Sequence, residues 1–269
     1  MVAGKIKVIV TGAAGRVGRE ISSAILEQED MELVGAVDVA GTGQDLGELV
    51  GKKQTGIIVE KDLEQVIKRT DAEVMVDFTN SQAALENARV AVFNGVRPVI
   101  GTTGLAPSDI EKLRAWCEQN RTGAFLAPNF AIGAVLMMLM ARMAARYFPD
   151  VEIIELHHDG KLDAPSGTSL MTAELINRER GHVEEAKRPE LEKLPNVRGG
   201  SLNGVRIHSV RLPGLIAHQE VIFGGLGQIL SIRHDSTSRV SFVPGVLLAV
   251  RKVRELQGVV IGLENLMEF

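Results

Sequence analysis

The 269-residue chain is 45% hydrophobic and 24% charged, ordinary globular usage that excludes a disordered or fibrous protein. Its formal charge of −4 leaves no electrostatic footprint for nucleic acid or anionic lipid as a partner. One cysteine, Cys117, excludes an internal disulfide and any multi-cysteine metal site.

The first residues run directly into a strand pattern and leave no room for a secretory apolar core, so a cytoplasmic location is expected. Ile6 to Val10 is a β-branched run that predicts a strand, and Gly12 to Gly18 is a glycine-rich turn. Val17 to Gln28 then carries apolar residues at Val17, Ile21, Ala24, Ile25 and Leu26, close to helical spacing. Leu33 to Val37 predicts a second strand ending at Asp38. Val74 to Phe78 and Val99–Ile100 predict further strands, each followed by a polar loop and a helix. Cys117 lies in the helical pattern Lys112 to Glu118 with no histidine nearby, which suits an idle buried thiol better than a nucleophile. Phe125–Leu126 predicts one more strand, running into Ala127-Pro128-Asn129-Phe130. This alternation predicts an α/β fold, a Rossmann-type doubly wound parallel sheet.

After about residue 130 the pattern changes. The longest apolar run, Ala131 to Ala141, falls well short of the ~20 residues of a membrane span and predicts a core helix over Ile132 to Tyr147. Val151 to Leu156 predicts a strand, and the turn Pro165-Ser166-Gly167-Thr168 opens a helix over Ser169 to Arg180, closed by Gly181. Residues 181–204 are charged and glycine-rich and predict an exposed loop. From Val205 to Phe242 strand-like runs follow one another, predicting an open mixed sheet, and Val246 to Leu256 is helical again. The expected organisation is a dinucleotide-binding domain over 1–130, a second α+β domain over 131–240, and a segment, 241–269, that returns to the first domain.

Thr11-Gly12-Ala13-Ala14-Gly15-Arg16-Val17-Gly18 follows a strand and opens a helix, the context a dinucleotide fingerprint needs. Glycines let the backbone approach a pyrophosphate, and the helix N-terminus supplies N–H groups and partial positive charge. Ala14 stands where the commonest fingerprint has its middle glycine, but Asp38 ends the next strand, where an acid holds the ribose hydroxyls. Asp38 repels a 2′-phosphate and Val39 offers no cation, so NADH is expected to be preferred; Arg16 is the nearby residue that leaves NADPH possible. Gly101-Thr102-Thr103-Gly104 ends another strand, where small residues suit the nicotinamide end.

The segment Glu155 to Thr168 concentrates His157, His158, Lys161 and a helix start at Gly167–Thr168 within a few residues. Histidine moves protons near neutral pH, lysine supplies charge or a proton, and the helix start presents N–H groups to an anion. Such a set suits a small substrate carrying carboxylates. Adjacent histidines in a strand point to opposite sides, and nothing nearby completes a metal set, so no metal is expected.

This segment resembles the signature of the 4-hydroxy-tetrahydrodipicolinate reductase (dihydrodipicolinate reductase) family of lysine biosynthesis. His157-His158, Lys161 and Asp163-Ala164-Pro165-Ser166-Gly167-Thr168 carry the likeness, with Gly12 to Gly18, Gly101 to Gly104, Ala127 to Phe130 and Ser238-Arg239. The resemblance implies a homotetramer, with a Rossmann domain and a second domain that binds substrate and whose open sheets associate. It implies that NAD(P)H reduces a small cyclic dicarboxylate, 4-hydroxy-tetrahydrodipicolinate, to tetrahydrodipicolinate. On these positions it implies His157 as proton donor and Lys161 as second donor or carboxylate partner, with His158, Gly167 and Thr168 binding substrate. It places the cofactor on Gly12, Ala13, Ala14, Gly15, Arg16, Val17, Asp38, Gly101, Thr102, Thr103, Ala127, Pro128, Asn129 and Phe130. The chain departs from the enterobacterial members, where arginine follows the acid that Asp38 matches. A short-chain dehydrogenase would need a tyrosine followed four residues later by lysine, but Tyr147 is the only tyrosine and position 151 is Val151. A semialdehyde dehydrogenase would need an activated cysteine, and a non-catalytic NAD(H) sensor has no use for His157 and Lys161.

Overall fold

The computed structural model describes residues 4–180 and 191–268. The chain divides into two compact units, one of residues up to Ala131 together with Arg239 onward, the other Ile132–Ser238. The expected limits lay at 130/131 and 240/241.

The first unit begins with β1 (Ile6–Thr11), α1 (Arg16–Ile25) and β2 (Met31–Val37), then α2 (Leu46–Leu49), β3 (Val59–Glu60) and α3 (Leu63–Thr70). β4 (Val74–Asp77), α4 (Ser81–Phe93), β5 (Arg97–Ile100), α5 (Pro107–Gln119) and β6 (Gly123–Leu126) follow. Local chemistry starts the helices where they start. Asp62 accepts from the Gln65 N–H at 3.1 Å ahead of α3, Asn80 accepts from Ala83 at 3.0 Å ahead of α4, and Pro107 opens α5. Leu63, Val66 and Ile67 on α3 pack with Ile9, Val37 and Met75 of the sheet, while Ala84, Ala88, Leu113 and Cys117 cover Ile100, Ala124 and Leu126. β1, β4, β5 and β6 are buried almost throughout, the signature of parallel strands covered on both faces.

The second unit comprises α6 (Ile132–Ala144), β7 (Asp150–His157), α7 (Gly167–Arg180), β8 (Gly200–Leu202), β9 (Val205–Arg211), β10 (Ala217–Gly225) and β11 (Gln228–Ser236). Its strands run β11-β10-β7-β9-β8, with β7 and β9 parallel and the other pairs antiparallel. Val151, Ile153, Val205, Ile207, Val221 and Phe223 are buried on the face that α6 and α7 cover. Glu152, Ile154, Arg206, His208, Glu220 and Ile222 alternate with them and stay partly exposed on the other face.

The chain then re-enters the first unit with α8 (Val243–Lys252) and β12 (Gly258–Ile261). β12 pairs in parallel with β6, giving a seven-stranded sheet in the order β12-β6-β5-β4-β1-β2-β3, parallel throughout. Arg251 on α8 fastens this return by donating to both oxygens of Asp30 at 2.7 and 3.0 Å.

Several expectations need correction. The first helix ends at Ile25 rather than Gln28, and the helix after residue 131 ends at Ala144 rather than Tyr147. Residues 200–202, expected as loop, form β8, which turns at Asn203-Gly204 into β9. The strand run expected to reach Phe242 stops at Ser236, and Arg239–Phe242 is a 3₁₀ turn. Gly181 and residues 182–190 lie outside the described residues. Among the described residues, no helix is long and apolar enough to cross a membrane.

Candidate functional site

In the first unit β1 pairs with both β2 and β4, so the strand order reverses there and the loops after β1 and β4 part to leave a crevice. Gly12 has φ +75°, and a Cβ on it would collide with the Phe78 carbonyl. A Cβ on Gly18 would collide with the Gly12 carbonyl, whereas one on Gly15 would lie 3.1 Å from the same oxygen. α1 is capped by Gly15 with no side-chain hydrogen bond, so its first turn is left for an external anion.

Asp38 stands immediately after β2. Its carboxylate accepts from the Ala14 N–H at 3.0 Å and the Ala40 N–H at 2.9 Å, one bond to each oxygen. Each oxygen keeps a second lone pair for a ribose hydroxyl. Val39 is 82% exposed and brings no charge. Arg16 is exposed at the start of α1, but the cation drawn onto the loop is Arg19, whose Nε donates to the Ala14 carbonyl at 2.8 Å. These features fit a dinucleotide: a cradle that side chains would fill, an uncapped helix start, and an acid with acceptor capacity to spare.

Asp77, at the end of β4, is fully buried and was not singled out from the sequence. It accepts from Thr11 Oγ1 at 2.6 Å, Thr102 Oγ1 at 2.7 Å, Thr79 Oγ1 at 2.9 Å and Asn87 Nδ2 at 2.8 Å. One carboxylate thus ties the ends of β1, β4 and β5 together beneath the crevice. Thr102 in turn accepts from the Thr79 N–H at 2.8 Å, and it is buried, so it braces the loop from below while Thr103 is exposed. Gly101 leaves room for the Phe78 ring, which a Cβ would strike, and that ring packs against Phe130 at 5.6 Å between centroids. Ala13, Ala127 and Phe130 are buried at 0, 1 and 2% exposure, so they line the floor, whereas Pro128 is exposed.

In the second unit the chemistry-bearing segment runs from the end of β7 to the start of α7. Glu155 and His157 are two residues apart on the strand and share one side. Glu155 is fully buried, and His157 Nδ1 is hydrogen-bonded to its Oε2. Arg211, at the end of β9, donates to Glu155 Oε2 at 3.0 Å and Oε1 at 2.8 Å. Burial opposes ionisation of Glu155, but hydrogen bonds from His157, Arg211 and Ser209 outweigh it and hold the carboxyl at about 2. Lys161 donates to both oxygens of Asp163, at 2.7 and 2.8 Å, which lowers the Asp163 carboxyl below its ordinary value. α7 starts at Gly167, which is exposed, with Ser166 Oγ accepting from the Ser169 N–H at 3.2 Å. His158 follows the strand end, half-buried, and its carbonyl accepts from Lys161 N–H in a turn at 3.1 Å.

His157, His158, Lys161, Gly167 and Thr168 therefore lie on one strand end, one loop and one helix start of the second unit. Sequence reasoning began the segment at Glu155 yet gave that residue no role, and it passed over Arg211. The signal available was a charged residue at a position whose alternate neighbours, Val151 and Ile153, are buried. Among the described residues no group of three or more His, Cys, Asp or Glu side chains is placed to hold a metal ion.

Comparison with known proteins bears on both units. A family model described as "Dihydrodipicolinate reductase, N-terminus" matches residues 6–130, and one described as "Dihydrodipicolinate reductase, C-terminus" matches residues 133–267. The chain is 56% identical over 265 residues to the 4-hydroxy-tetrahydrodipicolinate reductase of Desulfitobacterium hafniense, covering 98% of this chain and 99% of the relative. Its identity to the enzyme of that name from Moorella thermoacetica is 56% over 264 residues, covering 98% of each. Among solved structures, a dipicolinate-bound dihydrodipicolinate reductase from Paenisporosarcina sp. TG-14 superposes with a TM-score of 0.86 at 44% identity, over 98% of this chain and 100% of that one.

Proposed function

The chain belongs to the dihydrodipicolinate reductase family, and on that premise we propose that it reduces 4-hydroxy-tetrahydrodipicolinate to tetrahydrodipicolinate with NAD(P)H, a step of lysine biosynthesis. The observation that carries this reading is the pairing, within one chain, of the glycine cradle at Gly12–Gly18 with the His157–Lys161–Gly167 segment. A nicotinamide, when bound, would supply hydride to C4 of the substrate ring after the 4-hydroxyl and a C3 hydrogen have left as water, and C3 then takes the one proton the protein donates. The first unit orients it: the start of α1 and Arg16 face the pyrophosphate, Asp38 takes the adenine ribose, and Gly101 to Thr103 with Ala127 to Phe130 shape the nicotinamide end.

The second unit holds the dicarboxylate and its proton. His157 gives Nδ1 to the ionised Glu155, which leaves Nε2 for the substrate. His157 is thus the proton donor to the reduced ring. Lys161, paired with Asp163, exchanges that partner for a ring carboxylate, and Gly167 and Thr168 at the start of α7 receive the other with His158 alongside. The protein's contribution is orientation, two carboxylate anchors and one positioned proton. The partly exposed alternate face of the second sheet supports a homotetramer joined through it. A cytoplasmic location agrees with a soluble dicarboxylate substrate.

Cofactor choice follows from the charges beside the ribose. Asp38 with the uncharged Val39 favours NADH, and Arg19, held against Ala14, gives NADPH a weaker foothold. Arg19→Gln raises KM for NADPH about tenfold while leaving KM for NADH nearly unchanged, and equal effects on both would remove Arg19 from this role.

The deciding assay couples aspartate semialdehyde, pyruvate and a dihydrodipicolinate synthase to this protein and follows NADH and NADPH oxidation at 340 nm on the order of the usual nicotinamide band. Oxidation is expected with both and faster with NADH; none with either would retire the reading. Lys161→Ala should lower kcat/KM for the dicarboxylate about 100-fold with NADH affinity intact, as expected for loss of a charge-assisted anchor.

A further inference from the structure

We propose that Glu155 and Arg211 form a positioning pair that fixes the ring orientation of His157 and ties the Lys161 loop to the same strand end. This inference rests on the assignment of His157 as proton donor and Lys161 as carboxylate anchor.

Glu155 offers four acceptor sites inside the protein, and donors reach them from two strands: His157 on its own strand, Arg211 and Ser209 across the parallel ladder. His157 lies opposite Arg211 in that ladder, so both side chains meet the carboxylate from register-paired positions. A carboxylate fixed in this way admits one ring orientation for His157, with Nδ1 as the donor and Nε2 turned outward. Arg211 does more than neutralise it. Its second terminal nitrogen also donates to the Asp163 carbonyl at 2.7 Å, and Asp163 is the residue whose carboxylate holds Lys161. The guanidinium fork therefore joins the carboxylate behind His157 to the backbone behind Lys161, a geometry that lysine at position 211 cannot reproduce.

The charged groups around His157 are Glu155 on β7, Arg211 on β9, and Lys161 and Asp163 in the following loop. Its partner on β10 is Ala217, and α7 brings no acidic residue in its first turn. Glu155 is thus the anion in direct contact with the ring.

The test uses the full-length protein and four variants, with kcat and KM measured for each and ¹⁵N shifts of the His157 ring wherever that ring is kept. Glu155→Gln removes the charge and the acceptor-only partner of Nδ1, and should lower kcat about tenfold. Because a half-buried Arg211 without its anion destabilises the fold, the double variant Glu155→Gln with Arg211→Met removes both charges together and keeps the volume. It should fold, show the same loss of kcat, and lose the Nδ1–H preference of the ring. Arg211→Lys should preserve the ring shifts but raise KM for the dicarboxylate about tenfold, through the released Asp163 carbonyl. A double variant that folds with wild-type kcat and ring shifts overturns the proposal. If His157→Gln itself leaves kcat unchanged, the assignment of His157 fails instead, so the two failures are told apart.

Discussion

Three glycines of the first loop look alike in the sequence, yet the space around them differs. Gly18 has no room for a methyl group against the Gly12 carbonyl, and Gly12 combines positive φ with a close backbone neighbour. Gly15 needs only a few tenths of an ångström of relief. Gly18→Ala should therefore cost about 1–3 kcal/mol in denaturant unfolding and raise KM for NADH at least tenfold, while Gly15→Ala is milder on both counts. Cys117 illustrates the same scale from the side of reactivity. It is 1% exposed, and burial pushes its thiol up to about 11, so the native protein at pH 8 should resist a thiol reagent that labels the unfolded chain at once. Rapid native labelling would contradict the packing described for α5.

Elements, unlike single residues, were legible where their pattern is local. The β-branched run of β1, the polar loop and helix that follow β4 and the apolar length of α6 are each announced by neighbouring residues, whereas α3 was not read. β12 escaped because four apolar residues in a row carry no period that separates strand from helix. β3 escaped because two residues are too few to read. The same limit hid the supports of the site. Asp77 meets Thr11 from 66 residues away and Thr102 from 25, and Arg211 reaches Glu155 across 56, so only the folded sheet makes them neighbours. His157, Lys161 and Asp38 were singled out because their signatures are short; what orients them was not. Replacing Asp77 with alanine would leave four buried or half-buried donors without their acceptor. A loss of about 3 kcal/mol in stability is expected, with a raised KM for NADH, measured by urea unfolding and steady-state kinetics. Asp77→Asn, which keeps part of the acceptor set, should fall between.

At the scale of the whole molecule, the second unit carries a pH dependence of its own. Glu155 has a carboxyl held near 2 in the folded state, below its ordinary value of 4.5. The folded state therefore gains stability from its ionisation above 4.5, and that gain is lost as pH falls from 4.5 through 2. The wild-type protein should lose stability steeply across that window, and the double variant at 155 and 211 should follow a flatter curve in acid unfolding monitored by circular dichroism.

The insertion of the second unit between Ala131 and Arg239 has a further consequence during synthesis. By the time Ser238 is added, the nascent chain contains every strand of the five-stranded sheet. The parallel sheet begun earlier is still a strand short: β6 presents an unpaired edge, and Asp30 waits for Arg251. The half translated first is thus the half completed last, and a chain halted with residue 238 already clear of the ribosome would expose residues 4–131 to proteases more readily than the strands of the five-stranded sheet.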